Sequence, residues 1–431
     1  MIALTDGGVD AGLSRITTIV SGGRDAEAAL AAMERITADH DDRALAHYAL
    51  AELASEVGQP QRALGALRRA LELDPGYTDA LVLRAEMQLE VGRAEAAFAG
   101  LREARRRHPD DRALALGLAR LLVEAGRGEA ARQEMQRAHE RFGDAPEAVY
   151  SLALLAMQAE IWTDAKLYLE RLVQMDARTS QAHYYLGRIA QQEGECTRAL
   201  RHYIKVGQGE HRFDAELRAA ICMAEVGRVE EARLHLERLR ARYDAEGALA
   251  QIVMTHARVE RMAGNPERTL EVLGRGVERF PDNTELRYSR ALAAAEMDRF
   301  ELARADLNAI LERDPDNARA LNALGYMLAD RNTELRRARR MIERALEHNP
   351  DDAATVDSMG WVLYRLGQPR AALSHLRRAW ELGRDAEIGA HLGEVLWSLG
   401  RRDEARRIWA QAREQAPDNA VLRETVERLA P

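Results

Sequence analysis

Aromatic side chains make up only 5% of the 431 residues, and there are just two cysteines, Cys196 and Cys222. So few thiols exclude a disulfide scaffold or a cysteine-built metal framework. The two fall near the start of one expected helix and late in a following one. They could be neighbours, and two ordinary small side chains are expected rather than a disulfide. No apolar run approaches the roughly 18 residues of a membrane span. The net charge is -8 with both signs interleaved, so nucleic acid finds no basic footprint. Catalytic signatures are missing too: there is no His-Glu-x-x-His, Gly-x-Ser-x-Gly, P-loop or Cys-x-x-Cys. The twelve histidines are scattered, with no ligand-spaced pair on one helix face. The sequence reads as non-enzymatic, without cofactor or metal. The start, Met1–Gly8, has neither the basic residues nor the apolar core of a signal peptide. This leaves a cytosolic protein or a trimmed N-terminus.

What the chain has in abundance is Ala, Leu, Arg and Glu, with 31% charged residues, a helix-rich composition. It also has a period. Gly58, Gly92 and Gly126 lie 34 residues apart, and Ala63, Ala97 and Ala131 keep the same step, as do Ala70, Ala104 and Ala138. Numbering each unit from its first helix, with Ala44 at position 1, position 8 is small: Ala51, Ala85, Ala119, Ala153 and Gly187. A small residue there lets the first helix approach the second, and Ala at positions 20 and 27 answers it. Gly at position 15 ends the first helix in the left-handed region. Pro75 and Pro109, at position 32, follow a second helix that proline cannot extend. Each unit has an apolar face that it cannot bury alone, so units must stack.

Residues 10–431 therefore resemble the tetratricopeptide-repeat family, whose helix–turn–helix unit has this length. The fold this implies is all-α, a right-handed α-solenoid of about twelve units with a C-terminal capping helix. Residues 1–9 read as a flexible lead and 10–43 as a degenerate first unit, with Leu13, Ile16 and Val20 on its first helix. Units 1–7 fill 10–249, later units 250–418, and the capping helix 419–431, in one continuous solenoid. Unit four puts Glu160 where the turn glycine belongs. Gly207-Gln208-Gly209 makes an irregular join, and about three extra residues at Tyr243–Gly247 form a hinge or a loop insertion. In unit nine the second helix, with Ala338 and Ala345, arrives one residue late, which lengthens the turn Asp330–Thr333. Asp418 is expected to cap the last helix, whose Arg423, Glu424, Glu427 and Arg428 suit a solvent-facing end.

In repeats of this kind the first helices line the concave side, where ligands meet positions 2, 5, 9, 12 and 13. Position 5 holds Tyr150, Tyr184 and Tyr288, and Asn322 and Asp357 in late units. Position 9 holds Arg120, Arg188, Arg258, Tyr326, Trp361 and Glu394, and position 12 Tyr364 and Trp397. Aromatic and arginine side chains on a groove are the stuff of binding hot spots. The tyrosines at position 5 alternatively pack on neighbouring helices. The late group Asn322, Tyr326, Asp357, Trp361, Tyr364 and Trp397 is expected to bind a protein or peptide, with Trp361 facing out beside a close-packed Gly360. Acids recur at position 13, including Glu56, Glu90, Glu124, Glu225 and Glu296. Arg93, Arg127, Arg228 and Arg299 follow three residues after an acid and are expected to pair with it locally. No unit has Lys at 5 with Asn at 9, so a carboxylate clamp is not expected.

A narrower resemblance lies in Leu321–Asp330, Asp357–Gly367 and Ala390–Gly400. These segments are similar to the C-terminal repeats of proteobacterial outer-membrane repeat lipoproteins that serve as adaptors for a periplasmic carboxyl-terminal processing protease. The resemblance implies a scaffold or adaptor with such a protease as partner, periplasmic and attached to the outer membrane if the N-terminus is trimmed. The other classes left open are a self-assembling spacer, whose oligomeric state the sequence does not give, and an enzyme with an unrecognised site.

Overall fold

The computed structural model describes residues 26–430; the expected flexible lead and the first helix of the degenerate unit lie outside them. The described residues form 24 α-helices joined by turns, with no strand among them. The fold is an all-α solenoid of helical hairpins. Its residues divide into two compact units, one ending at Ala219 and the other starting at Ala220.

Within each unit the local chemistry follows the repeat. In the hairpin of Ala44–Glu56 and Pro60–Leu73, the turn glycine Gly58 has φ 72°, and Gly92 and Gly126 repeat it at 77° and 67°. Where glycine is missing the backbone does the same at some cost: Glu160, Asp298 and Asn332 sit at φ 57°, 57° and 55°. The turn after Ala318–Asp330 is one residue longer, as expected, and carries a second left-handed residue, Glu334, before Leu335–His348 begins.

The small residue at position 8 is a steric requirement. A Cβ on Gly187 would lie 2.6 Å from the Tyr203 ring, and one on Gly360 2.5 Å from Leu376. At Gly393 it would fall on the Trp409 indole. Glycine at these sites lets the second helix bring a large side chain against the first. Pro60, Pro266 and Pro369 open second helices, where the missing N–H costs nothing.

First helices are capped through a recurring Pro-Asp-Asx turn. Asp111, Asn283, Asn317 and Asp352 each accept a hydrogen bond from the backbone N–H three residues on. The same rule corrects the expected cap at Asp418. Asn419 is the capping residue, accepting from Leu422 N at 2.9 Å, and the helix runs Ala420–Leu429. Its Arg423, Glu424, Glu427 and Arg428 are exposed, as a terminal helix requires.

The extra residues near Tyr243 are absorbed differently from either expectation. The helix Glu246–Met262 has 17 residues where the first helices of the hairpins before and after it, Arg212–Glu225 and Thr284–Glu296, have 14 and 13, and only Tyr243–Ala245 separate it from Val229–Arg242. The insertion is about one added helical turn. The expected local pairing of acids with following arginines also fails. Arg127 reaches Glu95 of the preceding hairpin at 2.9 Å, and Arg228 pairs with Glu231. Glu296 is met by Arg261 at 3.8 Å. Glu95 and Arg261 lie one hairpin back from the residues they meet, and Glu231 stands three residues on from Arg228 in the second helix of the same hairpin.

In the first unit the core runs from Ala29 to Ile189, and in the second from Ala250 to Leu422. Contacts are those of a stack. In the second unit Ala353–Arg365 packs on its own second helix, Pro369–Leu382, and on the first helices before and after it, Ala318–Asp330 and Ala386–Ser398.

Candidate functional site

Those three first helices carry the late group of predicted residues. Asn322 and Tyr326 are four apart on Ala318–Asp330, so they share a face. The Tyr326 hydroxyl donates to Glu387 Oε1 at 2.5 Å, two hairpins on. Burial, and then the Glu387 carboxylate, raises the Tyr326 pKa far above the phenol range, so the hydroxyl stays protonated.

Asp357 is 5% exposed and accepts from His391 Nδ1 at 2.8 Å. The His391 ring stacks on Trp361 with centroids 4.1 Å apart and planes 20° from parallel. Burial alone would push the His391 pKa down. The bonded Asp357 carboxylate outweighs it, helped by Glu387 and Glu394, and the imidazole stands above its ordinary value. Trp361 is therefore inside: it is 5% exposed, which corrects the expectation that it faces out. The next hairpin covers it, and one repeat read alone does not show that.

Tyr364 lies against Trp361 at 5.4 Å, and burial followed by Glu394 raises its pKa. Glu394 is buried and accepts from Arg428 Nη2 of the last helix at 2.6 Å. Trp397 turns to its own hairpin, with Trp409 at 5.6 Å and the guanidinium of Arg402 5.1 Å from its ring.

Four buried polar atoms of this group have no hydrogen-bond partner in the protein: Asn322 Oδ1, Asp357 Oδ1, Trp361 Nε1 and Arg365 Nε. A buried polar atom left unmatched costs on the order of 1–3 kcal/mol. Elsewhere in the described residues only His139 Nδ1 and Tyr168 Oη share that condition. Two acceptors and two donors gather on adjacent first helices, the pattern that a peptide main chain answers with its own N–H and C=O groups.

The other predicted residues are placed separately. Arg258 and Tyr288 line one cavity of about 410 Å³ in the second unit, where Arg319 covers the Tyr288 ring at 4.2 Å. Tyr150 is covered by Arg178 at 4.6 Å. Tyr184 is buried, stacks on His211 at 4.2 Å and donates to Asp214 at 2.8 Å, while the exposed Arg188 lies 5.8 Å from its ring. At position 5, packing and groove-lining thus occur together. Sequence reasoning missed His391, Glu387, Arg365 and Arg428. His391 had a usable signal, its spacing of 34 from Asp357. Glu387 had none, since its partner Tyr326 is 61 residues away.

Comparison with known proteins agrees with the repeat. A tetratricopeptide-repeat sequence profile matches residues 54–121, 88–157, 261–325 and 363–429. A second such profile matches 22–78 and 150–215. A TPR repeat-containing protein of Pseudomonas aeruginosa is 35% identical over 248 residues, 58% of this chain and 42% of the relative. The chain thus spans less than half the length of that relative. Among solved structures, a TPR protein of Thermus thermophilus is 25% identical over 42% of this chain and 98% of its own, with TM-score 0.38. One of Parabacteroides merdae is 13% identical over 59% of this chain and 100% of its own, with TM-score 0.47. With the first profile alone matching more than half of the chain, on the turns and close-packed positions described above, the chain belongs to the tetratricopeptide-repeat family.

Proposed function

We propose that the chain is a non-catalytic scaffold whose second unit holds an extended segment of a partner protein against Ala318–Asp330, Ala353–Arg365 and Ala386–Ser398. The observation that carries this is the set of four buried, unmatched polar atoms on Asn322, Asp357, Trp361 and Arg365. A partner's main chain satisfies donors and acceptors alike and asks little of its sequence. The half-buried Tyr326 and Tyr364 supply rigid apolar surface around them. The finer form of the reading is an adaptor for a carboxyl-terminal processing protease, attached to the outer membrane on its periplasmic side. Its support is the resemblance in Leu321–Asp330, Asp357–Gly367 and Ala390–Gly400.

The test is calorimetric titration of the chain with such a protease, for wild type, Asn322→Leu and Trp361→Phe. Asn322→Leu replaces the amide by an apolar group of the same branched shape, and Trp361→Phe removes the indole N–H while keeping an aromatic ring in place. A loss of tenfold or more in affinity, about 1.4 kcal/mol, is expected from each. A protease that does not bind removes the adaptor form. Full affinity in both folded variants removes the site. A homo-oligomer of the purified chain that protects Trp361 from exchange would replace partner binding with self-assembly.

A further inference from the structure

Position 5 carries a tyrosine in four hairpins, and in three of them the chain lays one of its own arginines on the ring: Arg178 on Tyr150, Arg188 on Tyr184 and Arg319 on Tyr288. The fourth is Tyr48 on Ala44–Glu56. No arginine of the described residues covers it; the nearest ring is Tyr77, tilted at 5.0 Å. Tyr48 lines a cavity of about 600 Å³ in the first unit, open to solvent and built from four successive first helices.

The walls of that cavity are complementary to what is missing. The Tyr48 hydroxyl donates to Glu52 at 3.2 Å, and Asp79 shares the lining; burial, and then the two carboxylates, raise the Tyr48 pKa. Asp79 is exposed, and no cation of the described residues lies within ion-pair distance of it. The one arginine in the lining, Arg120, is already engaged by Glu86 and, at 4.0 Å, by Glu124. The floor is apolar: Val82, Leu83 and Leu116 are half-buried, and Leu154 is 37% exposed. An anionic, aromatic end next to an apolar floor suits one side chain above others. A guanidinium stacks on a tyrosine face and donates hydrogen bonds to two carboxylates at once, while its neighbour in the sequence covers the floor.

We propose that this cavity is a second binding site, independent of the late-hairpin site, for an arginine of a partner polypeptide flanked by a large apolar residue. The arginine would stand over Tyr48 between Glu52 and Asp79, as the chain's own arginines stand over the other three tyrosines. The apolar neighbour would cover Leu116 and Leu154.

The probe is a fluorescein-labelled peptide, Gly-Ser-Leu-Arg-Leu-Ser-Gly, titrated against the full chain by anisotropy, with a peptide carrying Glu in place of Arg as its control. The Arg peptide should bind at least tenfold tighter. Tyr48→Leu, and separately the double variant Glu52→Gln/Asp79→Asn, should each weaken it about tenfold, while Glu103→Gln, outside the cavity, should not. Circular dichroism checks folding, and if Tyr48→Leu melts early the carboxylate variant decides. Absence of binding at millimolar chain, equal affinity for both peptides, or an equal loss with Glu103→Gln would each overturn the proposal. The last result would mean attraction by net charge alone.

Discussion

Glycine 393 shows how one atom sets a packing distance. Its hydrogen faces the Trp409 indole, and a methyl there would overlap the ring. Gly393→Ala should therefore destabilise the second unit by about 1–3 kcal/mol, read from chemical denaturation. Gly128→Ala, where an added Cβ meets nothing within 4 Å and the backbone is helical, should be neutral or slightly stabilising. Trp361→Ala belongs at this scale too. Because the ring is buried against His391, the substitution should cost on the order of 3–5 kcal/mol rather than leave the fold untouched. That is why Trp361→Phe is the sharper probe of binding.

Two histidines should respond to pH in opposite senses. The His391 pKa is raised by Asp357, so its contribution is complete below the unfolded value of 6.5 and is lost as pH rises through the folded value. His202, bonded to His183 at 3.1 Å between ring nitrogens, is pushed down to about 4 by burial and by neighbouring cations. Its contribution is present above 6.5 and is lost as pH falls towards that lower value. Melting wild type against His391→Gln across pH 6 to 9 should show the difference between them shrinking with rising pH. The same comparison with His202→Gln across pH 7 to 4 should show it shrinking with falling pH. A constant difference in either series would refute the corresponding assignment.

Among the helices, Glu246–Met262 carries the clearest expectation. Its added turn places Gly247 and the residues after it at a helix N-terminus instead of in a loop. Amides from Leu249 onward, whose N–H bonds to Ala245 O at 3.0 Å, should exchange slowly. Fast exchange through Leu249–Val253 would restore the hinge. This element also shows what was legible. The three-residue slip in register was plain from Gly264, but the sequence did not say whether a loop or a helix absorbed it. Turns and close contacts inside one hairpin were readable because they depend on residues a few positions apart, as Gly58 and Gly187 do. Trp361, Glu387 and Arg428 were not, because their surroundings are made by the next hairpin or the one after. The cap at Asn419 was missed by one residue since Asp418 offers the same chemistry, and only the turn geometry chooses between them.

For the whole molecule, each hairpin touches its neighbours and little else within its unit. Ala131 is fully buried between two helices. Ala131→Phe should overpack one hairpin of the first unit and lower protection there. Proteolysis should nick near residues 126–145 first, with Ala353–Ser398 resisting longer. Simultaneous loss in both units would contradict neighbour-only coupling. The candidate sites are distributed in the same way: the late cluster needs three hairpins and the Tyr48 cavity four, so neither needs the other unit to be intact.

A structure joined mainly from neighbour to neighbour also has a mechanical character. Pulled by its ends, it offers no clamp of distant strands that must break at once. Hairpins should peel away singly at low force. Each would release roughly 34 residues, or about 110–120 Å of contour at full extension. Under load the chain would act as an extensible tether that yields in even steps and recoils by the same steps.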